Sequence, residues 1–391
     1  MINTSLLRQP LHIGTVVTML FMFFETGSAQ FDQAGGSRSI FAGASGVTIG
    51  AVHQQWTIKD SGTVSQQSAP VTVSVPLSNR SLMTITNSGY ASGFDTAKLS
   101  GLIDTRLMFS YVFPGDKIWL SGGVSVPTGK TKLTSSELQL SSLVSQAAFA
   151  YRTPSVGQGL NGNLSLVYAG TITRRMVLGL GLSYYYKGKY DPVKAITLSY
   201  DPGDEFSANL GFDYITFSKA ARFSIDITGT YFLEDKAKDA VKQYTVFKSG
   251  PRAIAVAAYS LKTGSSSHAA QVRFRYRQPN TFYSNSVATK YDAALQTEGL
   301  YSFSTPLTEW LQGSAMAEAK IFAADQVPIG GVPVETGKAN IYSAGVEGTF
   351  LFSPVVMPTV TLRMASGKMT LENKVRSVTG LEAGLGVRVM F

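Results

Sequence analysis

The segment 381–391, at the C-terminus, alternates between apolar residues and residues that are mostly small or charged. One face of a strand would carry Leu381, Ala383, Leu385, Val387, Val389 and Phe391. The other face would carry Glu382, Gly384, Gly386, Arg388 and Met390. Because successive side chains of a strand point to opposite faces, this spacing predicts a strand with one apolar face. Such a strand fits a place between lipid and a wet lumen.

The same two-residue rhythm recurs in the middle of the chain. It runs through Met176–Tyr186, Phe206–Tyr214 and Phe223–Phe232, and a period of 3.6 fits none of these windows. Only 15% of the residues are charged, whereas about 25% is usual in soluble proteins. After residue 30 the chain has no apolar run of the roughly 20 residues that a membrane helix needs. The sequence therefore predicts an all-β, transmembrane antiparallel β-barrel.

The N-terminal segment has the pattern of a signal peptide. Arg8 precedes the apolar run Ile13–Phe24, and small residues follow as far as Ala29. We expect cleavage before Gln30, which divides the chain into a signal peptide, 1–29, and a barrel, 30–391. The alternative is a short membrane anchor, which the shortness of the apolar run disfavours.

The chain ends on an aromatic residue, Phe391, with nothing after it. This ending resembles the C-terminal signature that outer-membrane proteins of Gram-negative bacteria present to their barrel assembly machinery. The resemblance implies a location in the outer membrane, with outer-membrane lipid and lipopolysaccharide as surroundings and the assembly machinery as a partner.

Short turns and longer loops alternate along the chain, as they do in barrels of this type. Predicted short turns lie at 77–79, 113–116, 171–173, 216–219, 263–267, 305–307 and 353–354. Predicted outer loops lie at about 59–65, 90–97, 127–159, 188–203, 233–249, 278–290, 323–338 and 367–377. The alternation predicts sixteen strands. Fourteen remains open if the pair Val71–Val75 and Ser81–Asn87 is discounted.

The longest predicted outer loop contains an ambiguous segment, Leu138–Tyr151. As a strand it would break the alternation of turns and loops, so we interpret it as a short helix. Thr134–Glu137 has the spacing of a capping box. Leu140, Leu143 and Val144 would then share one helix face. Because long loops with their own helix are usually functional, we expect a gating loop.

Three short stretches resemble a known group of barrels. They are Asp104-Thr105-Arg106-Leu107, Phe113-Pro114-Gly115-Asp116 and Val126-Pro127-Thr128-Gly129-Lys130. They resemble the outer-membrane barrels of the phenol meta-pathway type and, more distantly, the long-chain fatty acid transporter superfamily. Over about residues 98–216, the resemblance implies passive passage of small hydrophobic or aromatic solutes. The fatty acid transporters carry an N-terminal hatch, whereas here only Gln30 to about Ser39 precedes the first predicted strand.

Charged residues recur on the predicted inner face of the barrel. Arg273, Arg275 and Arg277 alternate with apolar residues on one strand. Other expected lumen charges are Asp104, Arg106, Asp226, Glu298, Glu318, Lys320, Glu347, Arg363, Glu382 and Arg388. Rows of opposite charge that face each other across the lumen could select solutes by their charge. Alternatively, they hold the wall together through ion pairs.

The net charge of +9 includes lysines in or beside the predicted outer loops. They are Lys187, Lys189, Lys194, Lys236, Lys238, Lys242 and Lys248. These side chains would suit phosphate-bearing lipid headgroups. A barrel without a basic soluble domain argues against nucleic-acid binding.

Little in the sequence suggests catalysis. The chain has no cysteine, and outside the signal peptide its histidines are His53 and His268. We therefore predict a channel for small solutes. We expect no enzymatic activity, no cofactor and no metal. The alternatives are a non-conducting structural or surface-binding barrel and an outer-membrane hydrolase, which would need one of these histidines beside a nucleophile or a carboxylate.

Overall fold

A computed structural model describes residues 45–154, 157–194, 198–216, 218, 220–284, 287–323, 325–329 and 332–391. The predicted signal peptide lies outside the described residues. Within them the elements are β1 (Gly46–Ile58), β2 (Gly62–Ser78), β3 (Ser81–Phe94), β4 (Ala97–Leu102), β5 (Thr105–Val112), β6 (Ile118–Val126), α1 (Ser135–Val144), β7 (Asn161–Thr173), β8 (Met176–Lys187), β9 (Ser199–Asp201), β10 (Glu205–Ile215), β11 (Ala221–Phe232), β12 (Glu234–Lys238), β13 (Gln243–Lys248), β14 (Arg252–Thr263), β15 (Ser266–Arg277), β16 (Thr281–Ser284), β17 (Val287–Lys290), β18 (Ala294–Thr308), β19 (Leu311–Ala323), β20 (Asp325–Ile329), β21 (Val332–Thr336), β22 (Ala339–Phe350), β23 (Val356–Leu371) and β24 (Lys374–Met390).

The wall of the molecule is a closed antiparallel sheet. Neighbouring strands pair in the order β1, β2, β3, β4 with β5, β6, β7, β8, β10, β11, β14, β15, β18, β19, β22, β23 and β24. β24 then pairs with β1 and closes the ring. Because β4 and β5 pair with successive parts of β3, they are two segments of one wall strand. The wall therefore has sixteen strands, as predicted, and the doubtful pair is part of β2 and β3.

The outer surface of the wall is apolar. Leu180, Leu182 and Tyr184 on β8 are exposed there, as is Leu385 on β24. The side chains between them point into the barrel, so the two-residue rhythm divides outside from inside as predicted. Only a closed barrel can present such a surface to lipid while every strand keeps its hydrogen-bonded neighbours.

Both ends of the wall lie at the end of the barrel that carries the short turns. The N–H of Phe391 donates to the carbonyl of Ser45 at 3.3 Å. At the opposite end, three of the predicted outer loops are shorter than expected, because their strands continue beyond the band predicted from the apolar pattern. The connections there are 59–61, 95–96 and 372–373. The last has positive φ at Glu372 and Asn373, as two-residue hairpin turns require.

The other outer loops contain regular structure that the sequence pattern did not reveal. β17, β16, β13, β12 and β9 pair in that order into a five-stranded sheet, and β20 pairs with β21. The predicted helix is present, but it ends at Val144 instead of Tyr151. Ser145 closes it, and residues 145–151 take an irregular path. No helix in the described part of the chain is long and apolar enough to cross a membrane.

Candidate functional site in the lumen

The long loop that follows β6 packs inside the barrel. On α1 the side chains of Leu138, Leu140 and Val144 are buried, and Leu143 packs beside them. Their cluster includes Trp56 of β1 and other inward side chains of the wall. The helix begins with the predicted capping box, in which Thr134 and Glu137 each bond the backbone of the other. The apolar face of α1 therefore fills part of the lumen.

Beyond the helix, the loop is hydrogen-bonded to a glutamine of the wall. The Gln66 side chain, on β2, is 1% exposed. Its Oε1 accepts from the N–H of Thr153 at 2.9 Å and from the Thr153 hydroxyl at 2.8 Å. Its Nε2 donates to the Thr153 carbonyl at 2.9 Å. One amide side chain thus satisfies the backbone of a loop residue in the way that a neighbouring strand would.

The adjacent strand binds the same loop. Gln54 on β1 donates to the Ala150 carbonyl at 3.1 Å and accepts from the N–H of Arg152 at 2.7 Å. The Trp56 indole N–H donates to the Phe149 carbonyl at 3.0 Å. Gln54 and Gln66 are register partners on neighbouring strands, so their side chains reach the loop at the same height in the barrel.

The loop also makes an ion pair with the wall. Arg152 donates to Glu382 of β24 at 2.6 Å. The other carboxylate oxygen of Glu382 accepts from Gln54 at 2.9 Å. The structure thereby gives Glu382, expected only as a lumen charge, a specific partner in the inserted loop. We call the wall residues Gln54, Trp56, Gln66 and Glu382 the docking side chains.

Both ends of the long loop meet at Asp104, in the break between β4 and β5. One carboxylate oxygen accepts from the N–H of Gly129 at 2.9 Å, and the other accepts from the N–H of Gln158 at 2.6 Å. Gly129 and Gly157 touch, since a Cβ on Gly129 would lie 2.7 Å from the Gly157 Cα. Asp104 therefore ties the loop to the wall.

The remaining predicted lumen charges form a network across neighbouring strands. Arg273 pairs with Glu298, and Arg275 donates to Gln296 at 3.0 Å. Glu318 pairs with Arg363 and lies 3.5 Å from Lys320. Glu347 accepts from Thr361 at 3.2 Å. Arg277, Arg106, Asp226 and Arg388 occupy inward positions of their strands by alternation with outward residues.

Access to water changes along the lumen. Near the short turns, the ion pair between Arg222 and Asp213 has side-chain exposures of 38% and 31%. Toward the loop end, the Lys320 side chain is 5% exposed and Arg277 is 5% exposed. The lumen is therefore open to water at its short-turn half and filled at its loop half.

A small cavity remains between the inserted loop and the wall. Gln54, Trp56, Phe149, Arg363 and Glu382 contribute to its lining, and its volume of about 20 Å³ leaves room for roughly one water molecule. Gly380 supports one side of it, because a Cβ there would lie 2.9 Å from the Trp56 ring. The absence of a side chain at Gly380 lets the indole lie flat on the wall.

The five-stranded outer sheet contains a buried carboxylate. Asp235 of β12 accepts from the N–H of Gly203 at 2.6 Å and from the Tyr200 hydroxyl. Burial raises the pKa of Asp235 to about 6, although Lys187 and these hydrogen bonds oppose the shift.

Lys187 was expected to face lipid headgroups, and this expectation is wrong. Its ammonium group lies inside the barrel, 2.6 Å from Glu205 and 5.9 Å from the centre of the Phe232 ring. It ends β8, whose alternation turns this residue inward. The headgroup contacts of the other outer lysines stay a prediction, as does the contact of Phe391 with the assembly machinery.

Neither histidine of the described chain has the surroundings of a catalytic base. His53 and His268 both occupy outward positions of their strands. The Nδ1 atom of His268 lies 2.9 Å from the Tyr301 hydroxyl, and its ring is next to Phe303. The described residues include no group of three or more potential metal ligands.

The most informative residues that the sequence analysis missed are the two docking glutamines. Gln54 and Gln66 alternate with outward residues of β1 and β2 and so face the lumen, whereas only charged residues were predicted to line it. The sequence signal that could have identified them is the presence of two glutamines at matching positions of neighbouring strands. Identifying their partner, the backbone of 150–153, required the path of the loop.

The closed wall, the apolar exterior and the polar interior together define an outer-membrane β-barrel. No family model matches the chain, and no curated protein matches it. Among solved structures, OprB of Pseudomonas putida is 10% identical with a TM-score of 0.46, over 91% of this chain and 97% of that one. A deletion mutant of the TodX monoaromatic hydrocarbon channel is 10% identical with a TM-score of 0.45, over 89% and 90%.

The COG4313 outer membrane channel from Pseudomonas putida F1 is 11% identical with a TM-score of 0.37, over 89% of this chain and 96% of that one. Likenesses this distant carry no argument. The assignment to the class rests on the geometry of the wall described above.

Proposed function

We propose that the protein is a channel for the passive passage of small solutes across the outer membrane, and that the loop 127–160 gates it. The observation that carries this proposal is the difference between the two halves of the lumen. One half is open to water, and the other is filled by a loop segment that hydrogen bonds and one ion pair attach to the docking side chains. A segment attached in this way can leave without disturbing the hydrogen bonds of the wall.

The helix belongs to the same gate. Leu140, Leu143 and Val144 pack into the lumen cluster, so release of segment 149–153 would loosen the support of α1. Asp104 would keep both ends of the loop attached, because it binds Gly129 and Gln158 instead of the tip. We therefore propose a hinged loop that swings about its two anchored ends.

Selectivity would come from the charged inner face. Arg273, Arg275 and Arg277 lie in one row, and Glu298 on the neighbouring strand pairs with Arg273. The other residues proposed for this role are Asp104, Arg106, Glu298, Glu318, Lys320, Glu347 and Arg363. The resemblance of the motifs around Asp104 and Gly129 to phenol meta-pathway barrels favours hydrophobic or aromatic solutes.

Planar-bilayer recording on the purified barrel tests the proposal. We expect discrete conductance steps, together with a reversal potential that reports charge selectivity in a salt gradient. If neither the natural protein nor a variant with a weakened loop attachment conducts, and neither releases solute from loaded vesicles, the channel proposal fails.

The filled loop half of the lumen favours a second candidate, a non-conducting barrel whose outer loops bind surface partners. The five-stranded outer sheet would then be the surface that binds the partner. Protease trimming of the outer loops separates the two: it should abolish partner binding by a surface-binding barrel and leave the conductance of a channel in place.

A further inference from the structure

Two hydroxyl groups on the inner face of the wall, those of Ser68 and Tyr90, are buried without a hydrogen-bond partner among the residues that the structure describes. Ser68 lies on β2 and Tyr90 lies on β3, and the two are register partners. Their exposed fractions are 5% and 6%. Because nearly all buried polar groups in folded proteins have a partner, two exceptions at one place in the wall need a physical explanation.

The inserted loop covers both residues. The helix α1 packs against β2, β3 and β4, and Tyr90 belongs to the apolar cluster that contains Leu140 of this helix. Ser68 follows Gln66 by two residues on the same inner face of β2, where Gln66 binds the loop backbone. The docked loop therefore keeps water away from the two hydroxyls and gives neither of them a donor or an acceptor.

The neighbouring side chains of the wall do not replace the missing partners. The register partner of Tyr90 on β4 is Gly101, and a Cβ at this glycine would lie 3.6 Å from the Tyr90 hydroxyl oxygen. The position from which a polar side chain could reach this hydroxyl thus carries none. The register partner of Ser68 on β1 is the apolar residue Val52. Both hydroxyls would gain hydrogen bonds from water only after the loop had moved away.

A buried hydroxyl without a partner opposes the arrangement that buries it. The docking side chains act in the opposite direction, because their hydrogen bonds and ion pair form only with the docked loop. A tyrosine of the loop shows the same contrast. The Tyr151 hydroxyl is also buried, but it donates to the Val64 carbonyl of β2 at 2.7 Å and so favours docking.

We propose that Ser68 and Tyr90 oppose docking of the loop and so keep its docked and undocked states close in free energy. The docking side chains favour the docked state, and the two hydroxyls favour the undocked state, in which water satisfies them. The relevance of this balance to gating rests on the proposed channel function. The balance itself concerns only the loop and the wall, so it can be measured without any conductance.

Hydrogen exchange of the loop amides 146–158, followed by mass spectrometry on the detergent-solubilised full chain, reports how often the loop leaves. Tyr90→Phe and Ser68→Ala each remove a hydroxyl and little else. We expect about tenfold slower exchange of these amides in each variant, because docking no longer buries an unpartnered hydroxyl. Exchange of the β15 amides, on the opposite side of the wall, should not change and serves as the internal reference.

The same substitutions at hydroxyls that have partners are the matched controls. Tyr151→Phe removes the bond to Val64, and Ser92→Ala removes the acceptor of a 3.1 Å hydrogen bond from the Gln66 Nε2 atom. Exchange of the loop should become faster in both variants. Tyr186→Phe changes a tyrosine that is 46% exposed on the outer surface of the wall, and its loop should exchange as in the natural protein.

Loop exchange in Tyr90→Phe and Ser68→Ala that is as fast as in the natural protein, or faster, would overturn the proposal. Slower exchange in Tyr151→Phe would also overturn it, because removal of any buried hydroxyl would then tighten the loop. Slowing in only one of the two test variants would overturn the role of the other residue. Conductance is measured separately: the expected exchange pattern in a barrel that never conducts refutes the channel alone, whereas a conducting barrel without this pattern refutes the balance alone.

Discussion

Gln66 and Thr153, 87 residues apart in the chain, share three hydrogen bonds between one side-chain amide and one loop residue. Both residues are buried. In such surroundings an amide that lost its partner would leave donors and acceptors unsatisfied. The pairing therefore holds a particular stretch of loop at a particular height in the lumen.

Gln66→Ala should release the loop tip. At roughly 1 kcal/mol per bond, the loss of three hydrogen bonds would shift the equilibrium toward the undocked loop by about a hundredfold. The expected result is a higher open probability in planar bilayers. Gln67→Ala is the matched control, because Gln67 is the next residue on β2 and points outward. Equal open probabilities in the two variants would contradict the role of Gln66.

Gly380→Ala should displace Trp56. The added methyl group would lie 2.9 Å from the indole ring, so the ring must move and its hydrogen bond to Phe149 should break. We expect a red shift in tryptophan emission relative to the natural protein. In the control variant Gly384→Ala the nearest heavy atoms lie at 3.6 Å or more, and its spectrum should be unchanged. A shift of the same size in both variants would exclude a specific contact.

Asp104→Ala should free both ends of the long loop. It removes two charge-assisted hydrogen bonds, together worth roughly 3 kcal/mol or more. Trypsin should then cut after Lys130 and Lys132 faster than in the natural protein. Asp116→Ala, in a short turn at the other end of the barrel, is the control and should leave the cleavage rate unchanged. Equal cleavage of the Asp104 variant and the natural protein would rule out this attachment.

The outer sheet should lose stability as the pH rises. The pKa of Asp235 in the folded protein, about 6, is above its ordinary value of 3.8, so the folded sheet binds this proton more tightly than the unfolded chain does. The contribution of Asp235 is therefore full below about pH 4 and is lost as the pH rises through 6. The positive charge of Lys187 favours the ionised form of Asp235 and therefore limits this loss of stability.

Hydrogen exchange of the β12 amides, corrected for intrinsic rates, measures this effect. Protection should fall between pH 4 and 6 in the natural protein, with β24 as an internal reference. Asp235→Asn keeps an acceptor for the N–H of Gly203 but cannot ionise, so its protection should not change with pH. Identical pH profiles for the two proteins would show that another group is responsible.

The strands of the wall could be predicted from the sequence because the same physical constraint acts on each of them. Each strand that separates lipid from a polar lumen must alternate, and segments such as Met176–Tyr186 show this without reference to the rest of the chain. The alternation of short turns with outer loops then gave the number of strands. The helix cap at Thr134 is also a local signal, whereas the end of the helix at Val144 depends on how 145–151 packs inside the barrel.

The outer sheet and the docking contacts were not predictable in the same way. β9 and β12 are only 3 and 5 residues long, too short to establish a period. Lys187 was misplaced because loop boundaries, which decide whether a residue ends a strand or begins a loop, are the least certain part of such a pattern. Contacts such as Arg152 with Glu382 join residues far apart in sequence and depend on the path of the inserted loop.

The central claim is that segment 149–153 closes the lumen and can leave it. Because the natural chain has no cysteine, the double variant Gln66→Cys with Thr153→Cys carries thiols only at the docking contact, and a short bifunctional thiosulfonate can bridge them through two disulfides. Conductance should be low when this bridge is in place and should rise to at least the natural level when dithiothreitol is added to the same bilayer. Equal conductance in the two states, with the bridge verified by mass spectrometry, would contradict the account.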